Sequence, residues 1–193
     1  MTTANKITIF RILLIPFFVV QMLYYVRTGG NLHWILALVA FAVAALLDGV
    51  DGYVARRFNQ KSELGAILDP MADKLLLISA ILLLSRDSKD YFAQIPLWLT
   101  ATIIGRDVLL VIGLGIIHYT FGKVAVRPRM IGKIATVLQM AMVLWILLRW
   151  PDRVLPYLII GTAAFTAFSG ILYLFVWIRQ MNTSPASAAS REQ

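Results

Sequence analysis

Asp48-Gly49-Val50-Asp51-Gly52-Tyr53-Val54-Ala55-Arg56, then eight residues, then Gly65-Ala66-Ile67-Leu68-Asp69-Pro70-Met71-Ala72-Asp73-Lys74: this polar stretch lies between two strongly apolar ones. Four aspartates fall within it, Asp48 and Asp51 three apart, Asp69 and Asp73 four apart. Both spacings set a pair of carboxylates on one face of a helix. Four facing carboxylates with no local cation repel one another, and such a cluster is normally held by a hard divalent metal with oxygen ligands. Gly49 and Gly52 interrupt the same helical pattern, each at a cost of about 0.8–1 kcal/mol relative to alanine. Two glycines beside paired acids point to room for a phosphate or a base.

The flanking runs decide the fold class. The chain has 193 residues, 60% of them apolar and 15% charged, too apolar for an ordinary soluble domain. A bilayer-spanning helix needs about 20 mostly apolar residues. Six segments qualify: Thr8–Val26, Leu32–Ala55, Leu64–Ser85, Ile95–Phe121, Ile134–Leu148 and Val154–Ile178, the fifth being the shortest. The expected architecture is all-α, a polytopic membrane protein with six transmembrane helices around a cytoplasm-facing polar cavity. It forms one domain over residues 1–181, followed by a small polar tail, 182–193, expected to be disordered. The first segment lacks a small-x-small cleavage site and reads as a retained helix rather than a signal peptide. Trp98, Trp145, Trp150 and Trp177 lie near span ends and suit an aromatic belt.

The formal net charge is +8. In a soluble protein that would suggest nucleic acid; here the membrane reading excludes it. With six spans and an N-terminus inside, the cytoplasmic parts hold Lys6, Arg11, Arg56, Arg57, Lys61, Lys74, Lys123, Arg127, Arg129, Lys133, Arg179 and Arg191, twelve of the 18 basic residues. The other side holds five: Arg27, Arg86, Lys89, Arg149 and Arg153. Basic residues favour the cytoplasm, so both termini are expected there. The aspartates then sit at the cytoplasmic interface, where nucleotides are found. The absence of cysteine excludes disulfides, thiolate metal sites and cysteine nucleophiles.

The spacing D-x2-D-G-x2-A-R-x8-G-x3-D-x3-D resembles the signature of the CDP-alcohol phosphotransferase family. All eight fixed positions match, at Asp48, Asp51, Gly52, Ala55, Arg56, Gly65, Asp69 and Asp73. A chance match is on the order of 10⁻¹⁰ per starting position. The resemblance implies an enzyme of phospholipid biosynthesis in the bacterial inner membrane. It implies that CDP-diacylglycerol donates its phosphatidyl group to an alcohol and that CMP is released. It also implies two divalent ions, Mg2+ or Mn2+, with Asp48, Asp51 and Asp69 as ligands and Asp73 both sharing a metal and taking the acceptor's proton. Gly52, Ala55 and Gly65 would leave space for the CDP moiety, Arg56 would hold its diphosphate, and Ser62 could hydrogen-bond it. Asn5, Thr8 and Arg11 look like the family's N-x-x-T-x-x-R opening near the nucleotide site; the plainer reading is an interfacial cap with a snorkelling arginine. Family members are commonly homodimers, which makes a second copy an expected partner beside membrane lipids.

Elsewhere, Pro70 either kinks the third helix near Asp69 or follows Asp69 as a cap; the kink is preferred, because Leu64 to Leu68 needs a place in the membrane. Ser62 is a plausible cap for that helix. Arg106 and Asp107 lie mid-span, where a charge needs a cavity or a partner. Neighbouring helical residues point about 100° apart, which argues against simple mutual neutralisation. Arg106 is therefore expected to face the polar cavity, the alternative being a buried tie to another helix. Arg106 with Arg127, Arg129 and Lys133 is the candidate set for the acceptor's phosphate. The stretches Asp51 to Arg57 and Gly65 to Lys74 resemble members whose acceptor is glycerol 3-phosphate. Arg106-Asp107-Val108 and Gly132-Lys133-Ile134-Ala135-Thr136 with Gln139 also resemble members that use phosphatidylglycerol and make cardiolipin. Two further readings belong to other classes, a cation transporter using intramembrane carboxylates and a lipid-binding protein without turnover. A transporter places such acids near the midplane, often in repeated halves; here they hug one interface and no repeat is visible.

Overall fold

Apolar runs closed by Gly, Pro and polar turns become six helices in the computed structural model: α1 (Thr3–Thr28), α2 (Asn31–Arg57), α3 (Glu63–Ser85), α4 (Leu97–Phe121), α5 (Met130–Leu147) and α6 (Leu155–Asn182). The structure describes residues 3–57, 63–86, 92–121 and 130–182, without the side chains at 3–7, 49–57, 63–70, 114, 116–121 and 179–182. Each expected segment coincides with one helix. Among the described residues, Thr8–Thr28, Asn31–Asp48, Met130–Leu147 and Leu155–Ile178 are long and apolar enough to cross a bilayer. Of the expected tail, only Asn182 is described, as the last residue of α6.

Helix ends follow local chemistry. Gly29 takes a positive φ of 67°, and its N–H donates to the Tyr25 carbonyl at 2.8 Å, as glycine does just past a helix C-terminus. The Thr28 hydroxyl caps the Tyr24 carbonyl at 2.8 Å. Pro16 sits inside α1, removing an N–H from its ladder without ending the helix. Likewise α3 runs through Pro70, so Asp69 does not cap a helix starting at Pro70.

The chain divides into two compact units, Met1–Pro96 with Gln139–Pro156, and Leu97–Leu138 with Tyr157–Gln193. In the first, α1 packs on both α2 and α3. Ala37, Ala40 and Ala44 are buried on one face of α2, and small residues let helices approach closely in membranes. Phe18 and Phe41 meet there with ring centroids 5.6 Å apart. Leu76, Leu77, Ala80, Ile81 and Leu84 supply the buried side of α3. The Trp34 indole donates to the Leu147 carbonyl at 2.8 Å, satisfying one acceptor at the end of α5. On α1, Phe10, Leu13, Phe17, Val20 and Tyr24 are exposed while Thr8, Arg11, Phe18 and Met22 are buried.

In the second unit the same inversion is stronger. The buried face of α6 carries Thr162, Thr166, Ser169, Tyr173 and Trp177, and its exposed face Ile160, Phe168, Ile171, Phe175 and Ile178. A helix of a water-soluble protein does the reverse. Apolar outside and polar inside is the pattern of a helix solvated by lipid, with hydroxyls available to other helices. Trp177 packs with Tyr173, Leu109 and Leu110, over Gly113, where a Cβ would fall 2.0 Å from the indole ring. Trp177 is thus a core residue and not the belt residue expected, whereas Trp98 and Trp150 are exposed.

Candidate active site

Helices α2 and α3 run unbroken across the four aspartates, so each pair keeps its helical spacing. The side chains of Asp48 and Asp73 are described, those of Asp51 and Asp69 are not. Asp48 and Asp73 come together over Arg11 of α1. Arg11 Nη1 donates to Asp48 Oδ1 and, at 2.9 Å, to Asp73 Oδ1. The arginine side chain is 0% exposed, the carboxylates 33% and 28%. The cation is therefore the floor and the acids are the open side. Two charge-assisted bonds on one nitrogen hold the acids in fixed mutual orientation.

This corrects two expectations. The acids do not lack a local cation, because Arg11 lies between two of them. Nor is Arg11 a snorkelling residue beside a cap: α1 begins at Thr3, so Thr8 lies within the helix, and Thr8 and Arg11 are both buried. The opening N-x-x-T-x-x-R is the signal in the sequence. What it could not supply is the partner, 37 residues away for Asp48 and 62 for Asp73.

The donor set suits a hard cation. Two half-exposed carboxylates meet on Arg11 Nη1, and carboxylate oxygens are the ligands that Mg2+ and Mn2+ take. Among the described residues no group of three His, Cys, Asp or Glu side chains gathers; Asp51 and Asp69, one turn from each described member, would enlarge the pair. Of the other candidates, Asn5 lies on α1, Gly52, Ala55 and Arg56 on α2, and Gly65 on α3, none with a described side chain. Ser62, Arg127 and Arg129 fall outside the described residues. Lys133 is exposed in the first turn of α5.

The second unit holds a polar cluster of its own residues. Arg106 Nη1 donates to Asp107 Oδ1 at 2.7 Å and Nη2 to Ser169 Oγ at 3.0 Å. The adjacent pair does neutralise itself, against expectation, because the long arginine side chain folds back across the angle between neighbouring positions. It is also tied to α6, which was the alternative. Space for it comes from Gly132 and Gly170: a Cβ at Gly132 would lie 3.0 Å from Nη2, and one at Gly170 3.5 Å from the arginine Cγ. Arg106 Nε is buried with no hydrogen-bond partner among the described residues. An unmet buried donor of this kind is costly unless a ligand or water completes it.

Comparison with known proteins adds to this geometry. The sequence profile of the CDP-alcohol phosphatidyltransferase family matches residues 1–178. The chain is 34% identical over 171 residues to the CDP-diacylglycerol–glycerol-3-phosphate 3-phosphatidyltransferase of Shigella flexneri serotype 5b, covering 87% of this chain and 90% of the relative. The protein of the same name from Escherichia coli K12 is 33% identical over the same length, with the same coverage.

Proposed function

The chain belongs to the CDP-alcohol phosphatidyltransferase family, and on that footing we propose that it transfers the phosphatidyl group of CDP-diacylglycerol to glycerol 3-phosphate, giving phosphatidylglycerophosphate and CMP. The observation that carries this reading is the meeting of Asp48 and Asp73 over buried Arg11, on helices that also carry Asp51 and Asp69, in a chain whose relatives bear that enzyme's name.

In the proposed reaction a hydroxyl of glycerol 3-phosphate attacks the phosphatidyl phosphorus. The bond from that phosphorus to the oxygen it shares with CMP breaks, and CMP leaves with the electron pair. Asp73 accepts the hydroxyl proton. Two divalent ions, Mg2+ or Mn2+, held by Asp48, Asp51, Asp69 and Asp73, would neutralise the diphosphate and the charge that develops on the leaving oxygen. Arg11 keeps Asp48 and Asp73 in register from below. Arg56 binds the diphosphate, Ser62, Asn5 and Thr8 supply polar contacts to the donor, and Gly52, Ala55 and Gly65 leave it room. Arg106, Arg127, Arg129 and Lys133 are assigned to the acceptor phosphate.

The same reading makes all six helices transmembrane, with both termini in the cytoplasm of a bacterial cell, the polar cavity facing the cytoplasm and a homodimer as the working assembly. The deciding experiment offers purified protein CDP-diacylglycerol with Mg2+ and each acceptor separately. CMP release that requires glycerol 3-phosphate and stops in chelator is the expected result. Release that requires phosphatidylglycerol instead would make the protein a cardiolipin synthase. No CMP release with any acceptor would sink the transferase reading and leave transport or lipid binding.

A further inference from the structure

Among the described non-glycine residues, Arg149 alone takes a positive φ, at 53°. It follows α5 in a closing turn where Arg149 N–H donates to the Ile146 carbonyl at 3.0 Å and Trp150 N–H to the Trp145 carbonyl at 3.3 Å. That is the position where helices usually place glycine. An arginine there must be accounted for by its side chain.

The guanidinium carbon lies over three aromatic rings, 4.4 Å from the Trp34 centroid, 5.1 Å from Tyr25 and 5.6 Å from Phe92. Tyr25 and Phe92 are buried and meet edge to face at 5.3 Å, and Trp34 is fixed by its bond to the Leu147 carbonyl. Ring faces attract a cation placed over them through the ring quadrupole. Its N–H donors point along the guanidinium edge, and they make no hydrogen bond or ion pair among the described residues. Arg149 is also exposed. Every part of the cage that belongs to a helix lies near the end of an apolar stretch: Tyr25 within Thr8–Thr28, Trp34 within Asn31–Asp48, with Arg149 just past Met130–Leu147. Arg11 to Tyr25 along α1 and Trp34 to Asp48 along α2 are each 14 residues, so the cage is about 21 Å from the aspartates.

We propose that Arg149, caged by Tyr25, Trp34 and Phe92, binds the phosphate of an anionic phospholipid head group at the end of the first unit remote from the aspartates. A guanidinium confined by three rings, with none of its N–H donors taken by another described residue, can give its fork to phosphate oxygens in two parallel N–H···O bonds. Span ends are where lipid phosphates lie, and a head group without an ammonium of its own leaves the phosphate free for arginine. This site does not depend on the transferase reading.

The test uses wild-type protein, Arg149→Gly and Arg149→Lys in nanodiscs of phosphatidylcholine alone, of phosphatidylcholine with phosphatidylglycerol, and of phosphatidylcholine with added inorganic phosphate. Lipid retained is read by native mass spectrometry and stability by thermal midpoint. Glycine suits the backbone at position 149, so Arg149→Gly keeps the turn while removing the fork. The wild type should retain phosphatidylglycerol over phosphatidylcholine and gain midpoint from it. Arg149→Gly should lose that preference by roughly tenfold or more, and Arg149→Lys, charged but not stacked, should fall between. The comparison within each variant, with and without phosphatidylglycerol, remains valid if the cage itself contributes to folding. Equal preference in wild type and Arg149→Gly would overturn the site, and an equal gain from inorganic phosphate would overturn the lipid as its ligand.

Discussion

Arg11 carries more of the site than any other described side chain. A buried guanidinium with two carboxylates is stable only as a set, because removing one member leaves the others uncompensated. Arg11→Ala should therefore destabilise the protein by about 3–5 kcal/mol in chelator, as Asp48 and Asp73 face each other without a cation. Added Mg2+ or Mn2+ should recover part of the loss, since a divalent ion neutralises the same two acids. Thermal unfolding with and without metal reads this directly; an Arg11→Ala protein as stable as wild type in chelator would remove the counter-ion role. Asp73→Asn separates binding from chemistry. On the proposed assignment three acids remain to hold the metal ions that bind CDP-diacylglycerol, so it should still bind while turnover is lost; near-normal turnover would place the base elsewhere. The aspartates were legible in the sequence because helical spacing is a local property. Their cation was not, because no local pattern states which residue of one helix meets which residue of another.

At the scale of elements, the six helices were legible from the length of their apolar runs, and the Thr28-Gly29-Gly30 turn from its glycines. The faces were harder. Nearly continuous apolar sequence leaves little contrast, and only the structure shows that α6 buries Thr162, Thr166, Ser169 and Tyr173 while exposing its aromatic and aliphatic side. Trp177 illustrates the difficulty: its place near a span end suggests an interface, yet it fills the space that Gly113 leaves. Arg106 and Asp107 illustrate another. Backbone angles separate neighbouring Cβ atoms, but a side chain as long as arginine reaches back across them. Gly113 gives the test at this scale. A methyl group there meets indole atoms at 2.0 Å, so α4 and α6 must shift or Trp177 must leave its rotamer. Gly113→Ala should lower stability by about 1–3 kcal/mol, measurable as a reduced thermal midpoint in detergent. Trp177→Leu in the same background should restore part of it, and a Gly113→Ala protein with an unchanged midpoint would contradict the packing.

For the molecule as a whole, the choice of alcohol matters most, and the two acceptors make different demands. Glycerol 3-phosphate is small, soluble and nearly dianionic. To be held in a partly dry site it needs cations other than those occupied with CDP, and arginine matches phosphate oxygens best. Phosphatidylglycerol needs less charge and a lateral opening instead. Two features favour Arg106 as the proposed partner of the smaller acceptor, and one weighs against it. Its Nε is buried without a partner among the described residues. Against it, its two other nitrogens already hold Asp107 and Ser169, and Asp107 offsets its charge. A glycine at 132 keeps the space beside Nη2 clear. Arg106→Ala should raise the KM for glycerol 3-phosphate much more than that for CDP-diacylglycerol. Loss of one charge-assisted phosphate contact corresponds to about 1.5–3 kcal/mol, or roughly 10- to 150-fold. Gly132→Ala should move the same KM in the same direction by less, because a Cβ 3.0 Å from Nη2 asks that atom to give by only a few tenths of an ångström. An equal rise in both KM values would assign Arg106 to structure, as a tie between α4 and α6. Unchanged KM values with a lowered midpoint would do the same, and the acceptor phosphate would then fall to Arg127, Arg129 and Lys133.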